Sequence, residues 1–124
     1  MPFLEDARNA VRRLPDGDPL KITLEYLDEN AVGWRNAVPI DEVLGHLAAQ
    51  GHGMSKSQFQ QTILKDTREG TIFIGVAHGK GIFLIETRDD AAKTKEFYDS
   101  RIGSELTHLR NLERLVQDQG WGPL

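Results

Sequence analysis

Four histidines, His46, His52, His78 and His108, are the residues best suited to proton transfer or metal ligation, and they fall in four separate stretches. A metal site needs three or four such ligands to converge, and their spacing gives no sign of that. The chain contains no cysteine, which excludes a disulfide, a zinc–thiolate site and a thiol nucleophile. No HExxH pair, nucleophile elbow or dinucleotide fingerprint occurs, and the glycine-rich "VAHGKG" lacks the spacing and following helix of a phosphate loop. These residues imply no catalysis, no metal and no cofactor. The chemistry that remains is recognition. Residues 55–68, "SKSQFQQTILKDTR", bring together the amides Gln60 and Gln61, the hydroxyl of Ser57 and the cations Lys56, Lys65 and Arg68. Gln can pair bidentately with adenine and Arg with guanine in a major groove, while Ser and Lys commonly reach phosphates.

Two local signals predict a helix over 55–69 that would hold these groups. Ser55 and Gln58 have the spacing of a capping box, and Met54 and Phe59 that of a hydrophobic staple. Projected at about 100° per residue, Phe59 and Ile63 face inward with Thr62 nearby. Ser57, Gln61 and Arg68 lie opposite, flanked by Gln60, Leu64 and Lys65. A solvated amphipathic helix would show the same polar face, so the surroundings matter. Upstream, "PIDEVLGHLAAQ" predicts a helix with Ile40, Val43, Leu44, Leu47 and Ala48 inward and Gly51 as its C-terminal stop. Downstream, "TIFIGVA" and "GIFLIE" flank the glycine-rich "HGKG", predicting a hairpin over 71–86 with His78 and Lys80 at its tip. Gly79 and Gly81 would also serve a simple tight turn, with Lys80 there for solubility. His52, between two glycines, reads as an exposed loop residue.

The remaining elements follow from period and punctuation. Residues 1–14 and 20–31 predict two amphipathic helices separated by the turn cluster "PDGDP", and "VGWRNAVPI" reads as extended, a place for one short strand. Length, 124 residues, suits one domain, and 39% hydrophobic with 27% charged residues suits a folded chain. No apolar run reaches the ~18 residues of a membrane helix, and the N-terminus lacks the pattern of a signal peptide, so a cytoplasmic location is expected. The net charge of −4 argues against indiscriminate binding to nucleic acid. Its distribution is uneven: residues 51–88 carry 5 basic and 3 acidic groups, whereas 1–50 carry 5 and 9, and 89–124 carry 5 and 7.

Helix, turn, helix and hairpin in this order resemble the winged helix-turn-helix DNA-binding family over residues 20–86. The ending "HGKGIFLIETRDDAAKTKEFYDSRIGSELTHLRNLERLV" is similar to that of small winged-helix proteins encoded by bacteriophages and prophages. The resemblance implies an α+β, mainly helical fold: a winged-helix core at 20–86 with an N-terminal helix at 1–14 and a long C-terminal helix at 89–119. It further implies sequence-specific binding of double-stranded DNA, as a transcriptional regulator or a phage or mobile-element protein. The helix at 55–69 would read the major groove through Ser57, Gln60, Gln61, Lys65 and Arg68. Lys56 and Lys80 would contact phosphate, with His78 beside Lys80 at the DNA-binding tip of the wing. The same fold also serves protein interaction or inhibition, for example of a host defence complex, or forms the DNA-reading domain of a larger restriction system. Acidity and an outward Leu64 favour that alternative.

The long C-terminal helix places Tyr98, Ile102, Leu109, Leu112 and Val116 at alternating spacings of four and three once Glu105 is included, with Leu106 and Leu115 widening the stripe. Such a seam fits a homodimer. Alternatively, Phe97, Tyr98, Ile102, Leu106 and Leu109 cover the chain's own N-terminal helices. Gly103 would permit close approach of another backbone, and Trp121 reads either as a docking anchor or as a cap on this helix.

Overall fold

The computed structural model describes residues 2–70 and 72–122, the side chains of Pro2 and Ser104 excepted. Thr71, expected to open the hairpin, and residues 123 and 124 of the tail lie outside the described residues. The fold is mainly helical with one two-stranded antiparallel sheet.

Helix α1, Pro2–Arg13, buries Leu4, Ala7 and Ala10 and turns Arg8, Arg12 and Arg13 outward. Helix α2, Pro19–Asn30, starts where the Asp18 carboxylate accepts from the Leu20 N–H at 2.8 Å, the ordinary way an Asp satisfies a first-turn donor. Arg8 pairs with Asp28 at 3.1 Å and joins the two helices across their exposed edge. Helix α3, Ile40–Ala49, follows Pro39, buries Val43 and Leu47 and is tied to α2 by the Tyr26 hydroxyl, which donates to Glu42 at 2.7 Å. It closes on Gly51, whose φ of 86° suits glycine, with the His52 N–H donating to the Leu47 carbonyl at 2.8 Å.

Helix α4 runs over 56–68 with the cap expected of it: Ser55 and Gln58 form the reciprocal pair, at 3.1 and 2.8 Å. Phe59 is fully buried and Met54 packs against the same core, as a staple requires. The helix is not uniform. Between α-helical turns Lys56–Phe59 and Lys65–Arg68 lies a π turn, Gln60–Leu64, in which the Lys65 N–H reaches back to the Gln60 carbonyl. A π turn accommodates one extra residue, so everything after it lags by about 100°. Leu64, expected on the outer side, is thereby carried into the core with 0% exposure, and Thr67 is buried behind it with its hydroxyl on the Leu64 carbonyl at 3.0 Å.

Strands β1, Ile74–Ala77, and β2, Gly81–Leu84, pair antiparallel from Ile74↔Leu84 to Ala77↔Gly81 around the turn His78, Gly79, Lys80. On the other side of β2 the segment after α2 supplies the expected extended chain, reduced to single bridges at Val32 and Val38 around a short 3-10 turn, Trp34–Asn36. Val38 and Ile82 exchange hydrogen bonds at 3.0 and 2.8 Å. This approach fixes Gly81: its φ is 119°, and a Cβ there would run into the Val38 carbonyl.

Helix α5, Arg88–Asp118, begins with a second capping box, Thr87 with Asp90. Asp90 is 4% exposed, and its carboxylate accepts from the backbone N–H groups of Trp34, Glu86 and Thr87 at 2.8 to 3.0 Å. Burial pushes its pKa up, but these donors outweigh that and hold it below the usual aspartate value. One carboxylate thus locks the extended segment, the exit from β2 and the start of α5. The first half of α5 lies on β1, with the Thr94 hydroxyl accepting from the Val76 N–H at 3.1 Å.

From 99 to 115 every described side chain of α5 is exposed. This stretch, about 25 Å long at 1.5 Å per residue, is an arm that leaves the body. Ile102, Leu106 and Leu109 therefore do not cover the N-terminal helices, which corrects that expectation. Phe97 and Tyr98 of that set are half-buried, and Tyr98, the first residue of the four-three series, is the member nearest the body. Gly103 has open space where a Cβ would stand, so no backbone approaches it within the chain. At the far end the Trp121 N–H donates to the Val116 carbonyl at 3.4 Å and the Gly120 N–H to Gln117 at 2.9 Å, so the backbone of the tail caps the helix. The Trp121 ring itself is 76% exposed. No helix among the described residues is long and apolar enough to cross a membrane.

Candidate nucleic-acid interface

The outer face of α4 is built by the π turn. Ahead of it, Ser57 and Gln61 stand one turn apart and touch, the Gln61 amide donating to the Ser57 hydroxyl at 3.3 Å. Behind it the lag brings Lys65, rather than Arg68, into line with them. The exposed row is therefore Ser57, Gln61, Lys65, with Lys56 and Gln60 exposed beside it.

Arg68 turns aside toward α5. Its guanidinium lies 5.6 Å from the centre of the Tyr98 ring, and its Nε is buried with no hydrogen-bond partner among the described residues. Burial lowers its pKa from the ordinary arginine value; Tyr98 opposes the shift and the charge of Arg101 adds to it. Arg68 thus stands off the row of Ser57, Gln61 and Lys65, on the side of α4 that faces Tyr98. The sequence projection missed this because it assumed an unbroken 3.6-residue period.

Lys56 and Gln60, from the start of α4, line one shallow groove with Gly79, Lys80 and Gly81 of the hairpin turn, Asp41 of α3 and Phe97 of α5. Helix and hairpin tip, far apart in sequence, thus present cations to a common surface. The hairpin tip is also less free than its glycines suggest. Lys80 Nζ lies 5.4 Å from the centre of the Trp34 ring, which carries Lys93 at 4.6 Å and Arg35 at 5.3 Å as well. The indole N–H donates to Asp89 at 2.9 Å and holds the ring in place. Each such cation–π contact at an exposed site is worth about 0.5–1 kcal/mol, enough to bias where Lys80 stands. His78 is exposed, its ring 6.4 Å from that of Phe97. Trp34, Arg35 and Lys93 are members of this cationic face that the sequence did not point to. The pair "WR" before an extended segment was the only available sign.

The other histidines do not gather. His46 is half-buried with its ring 4.7 Å from Tyr26, His52 lies in the turn after α3, and His108 is on the arm. No group of three or more His, Asp or Glu able to hold a metal ion occurs among the described residues. Of the dimer-seam residues, Ile102, Leu109 and Leu112 are half-exposed or more, and Leu106 and Leu115 beside them are nearly so. Val116 is buried at the capped end of the helix, which removes it from the open stripe. Comparison with protein-family models, curated proteins and solved structures found no match to this chain.

Proposed function

We propose that this chain binds double-stranded DNA as a winged helix-turn-helix protein, with α4 as the recognition helix and the hairpin as the wing. It would act as a transcriptional regulator or as the DNA-binding protein of a phage or other mobile element. The observation that carries the reading is the shared groove of Lys56, Gln60 and Lys80. Two cations fixed on separate elements, with an amide-bearing helix face between, match what a duplex requires: phosphate contacts for placement and side-chain amides for base edges. In this reading Ser57, Gln61 and Lys65 face the bases and Gln60 flanks them. Lys56, Lys80 and, behind Trp34, Lys93 and Arg35 meet phosphate.

The test begins with a duplex selected from a random pool at physiological salt. Replacing Lys56 and Lys80 together by Ala should weaken binding on every sequence and reduce the slope of log affinity against log salt by about 2, one for each phosphate no longer neutralised. An unchanged slope would reject the interface. The exposed positions of both lysines make the variant's melting temperature a simple control.

A protein partner is favoured by a separate observation, the open apolar stripe of the arm. The occupant that fits it is a second copy of this chain. Ile102, Leu109 and Leu112 lie seven and three residues apart, the heptad spacing that lets identical helices interlock, and the arm has none of the tertiary packing that gives most helices in proteins their stability. Two copies would offer two recognition helices to a two-fold-symmetric site. Sedimentation at about 100 μM should therefore give twice the chain mass of 13.9 kDa, and a monomer there would overturn the assignment. Leu64, which would have favoured a protein partner for α4, is buried and lends no support to one.

A further inference from the structure

Arg68 is the one arginine whose side-chain nitrogen is buried without a partner among the described residues, and it sits at an opening rather than in a sealed core. Between α4 and α5 lies a groove of about 490 Å³, of the size that holds a small ligand. One wall carries Gln60, Gln61, Lys65 and Arg68; the other is Tyr98, and Phe73 completes the lining. Arg101 of α5 is close enough to Arg68 to repel it. The only carboxylate among the described lining residues is that of Glu69, which is exposed and forms no ion pair within 4.0 Å with either Lys65 or Arg68. Two lining cations, Lys65 and Arg68, therefore face one loose carboxylate, with the charge of Arg101 nearby.

The buried Arg68 Nε has lost hydration and gained no hydrogen bond in return, so an anion held by this guanidinium recovers more than it would at an exposed cation. Arg offers a planar fork for two oxygens, and Lys65 adds a second cation at the mouth. Phe73 and Tyr98 provide flat apolar surface beside that polar end. We propose that this groove is a binding site for a small organic anion. Arg68 and Lys65 take its carboxylate or phosphate, and Phe73 and Tyr98 cover an attached apolar ring. The same oxygens could come from a duplex backbone. A duplex backbone, however, carries no apolar ring on its phosphates and would leave the surface of Phe73 and Tyr98 unfilled. The site does not depend on duplex binding and would stand if that were disproved.

The test follows the Arg68 Nε–Hε resonance of the whole chain by NMR while benzoate, inorganic phosphate or benzyl alcohol is added. Benzoate should shift it saturably, with phosphate at least about tenfold weaker and benzyl alcohol without effect. Arg68→Gln should weaken benzoate binding at least tenfold by calorimetry. Equal binding of benzyl alcohol would show an apolar patch and overturn the proposal. So would an Arg68 signal unmoved at about 20 mM benzoate, a result read on the unaltered protein and independent of whether the variant folds. A signal shifted by duplex DNA alone would assign the site to phosphate of the backbone and also overturn it.

Discussion

Leu64→Ala is expected to destabilise the protein by about 2–5 kcal/mol in urea unfolding, the cost of truncating a fully buried leucine and leaving a cavity. The same substitution on an unbroken α-helix, with Leu64 at the margin of the outer face, would change stability by only about 0.5 kcal/mol. The experiment therefore distinguishes two geometries for one sequence. Gln61→Ala, three residues earlier and exposed, serves as the counterpart and should stay within about 0.5 kcal/mol. If Leu64→Ala proved as mild as Gln61→Ala, the π turn would be wrong and Arg68 would return to the row of Ser57 and Gln61. The functional consequence is direct, since the residue placed next to Gln61 is Lys65 in one geometry and Arg68 in the other.

What could be read in the sequence was what short-range chemistry dictates. The cap at Ser55 and Gln58 and the staple at Met54 and Phe59 need only spacing, and both formed. The hairpin needed only two β-branched runs around glycines, and the positive φ of Gly79 and Gly81 shows why those residues stand there. The π turn had no comparable sign. Gln60, Gln61 and Thr62 are compatible with either helix, and the choice falls to the core, which gains Leu64 and Thr67 by it. Trp34 was illegible for a related reason: its cations come from β2's turn, its own neighbour and α5, and only the folded chain brings Lys80, Arg35 and Lys93 to one ring. The arm shows the opposite case. Its apolar spacing was plain, but spacing alone could not tell whether the body or another molecule covers it. The exposure of Ile102, at 57%, removes the body from that choice.

Asp90→Ala is expected to cost about 3–5 kcal/mol, because it strands three backbone donors that the buried carboxylate now satisfies, each orphan costing about 1–3 kcal/mol with some relief from water. The effect should also carry a pH signature. With its folded pKa held below the unfolded value, Asp90 contributes stability above the unfolded carboxylate pKa and loses it as pH falls through the folded one. Wild-type stability should therefore fall on acidification below about pH 4, and the Ala variant should show a shallower fall over that window. Equal acid limbs in the two proteins would mean that other carboxylates govern the transition. The same junction reaches the proposed interface through the backbone. Asp90 holds the Trp34 N–H, Asp89 holds the Trp34 indole, and that ring stands under Lys80. Loosening the start of α5 should thus release the hairpin cation from its platform. In a variant still folded at low temperature, the salt slope of duplex binding should remain near wild type, because Lys80 keeps its charge. The affinity should drop, because that charge is no longer held in place.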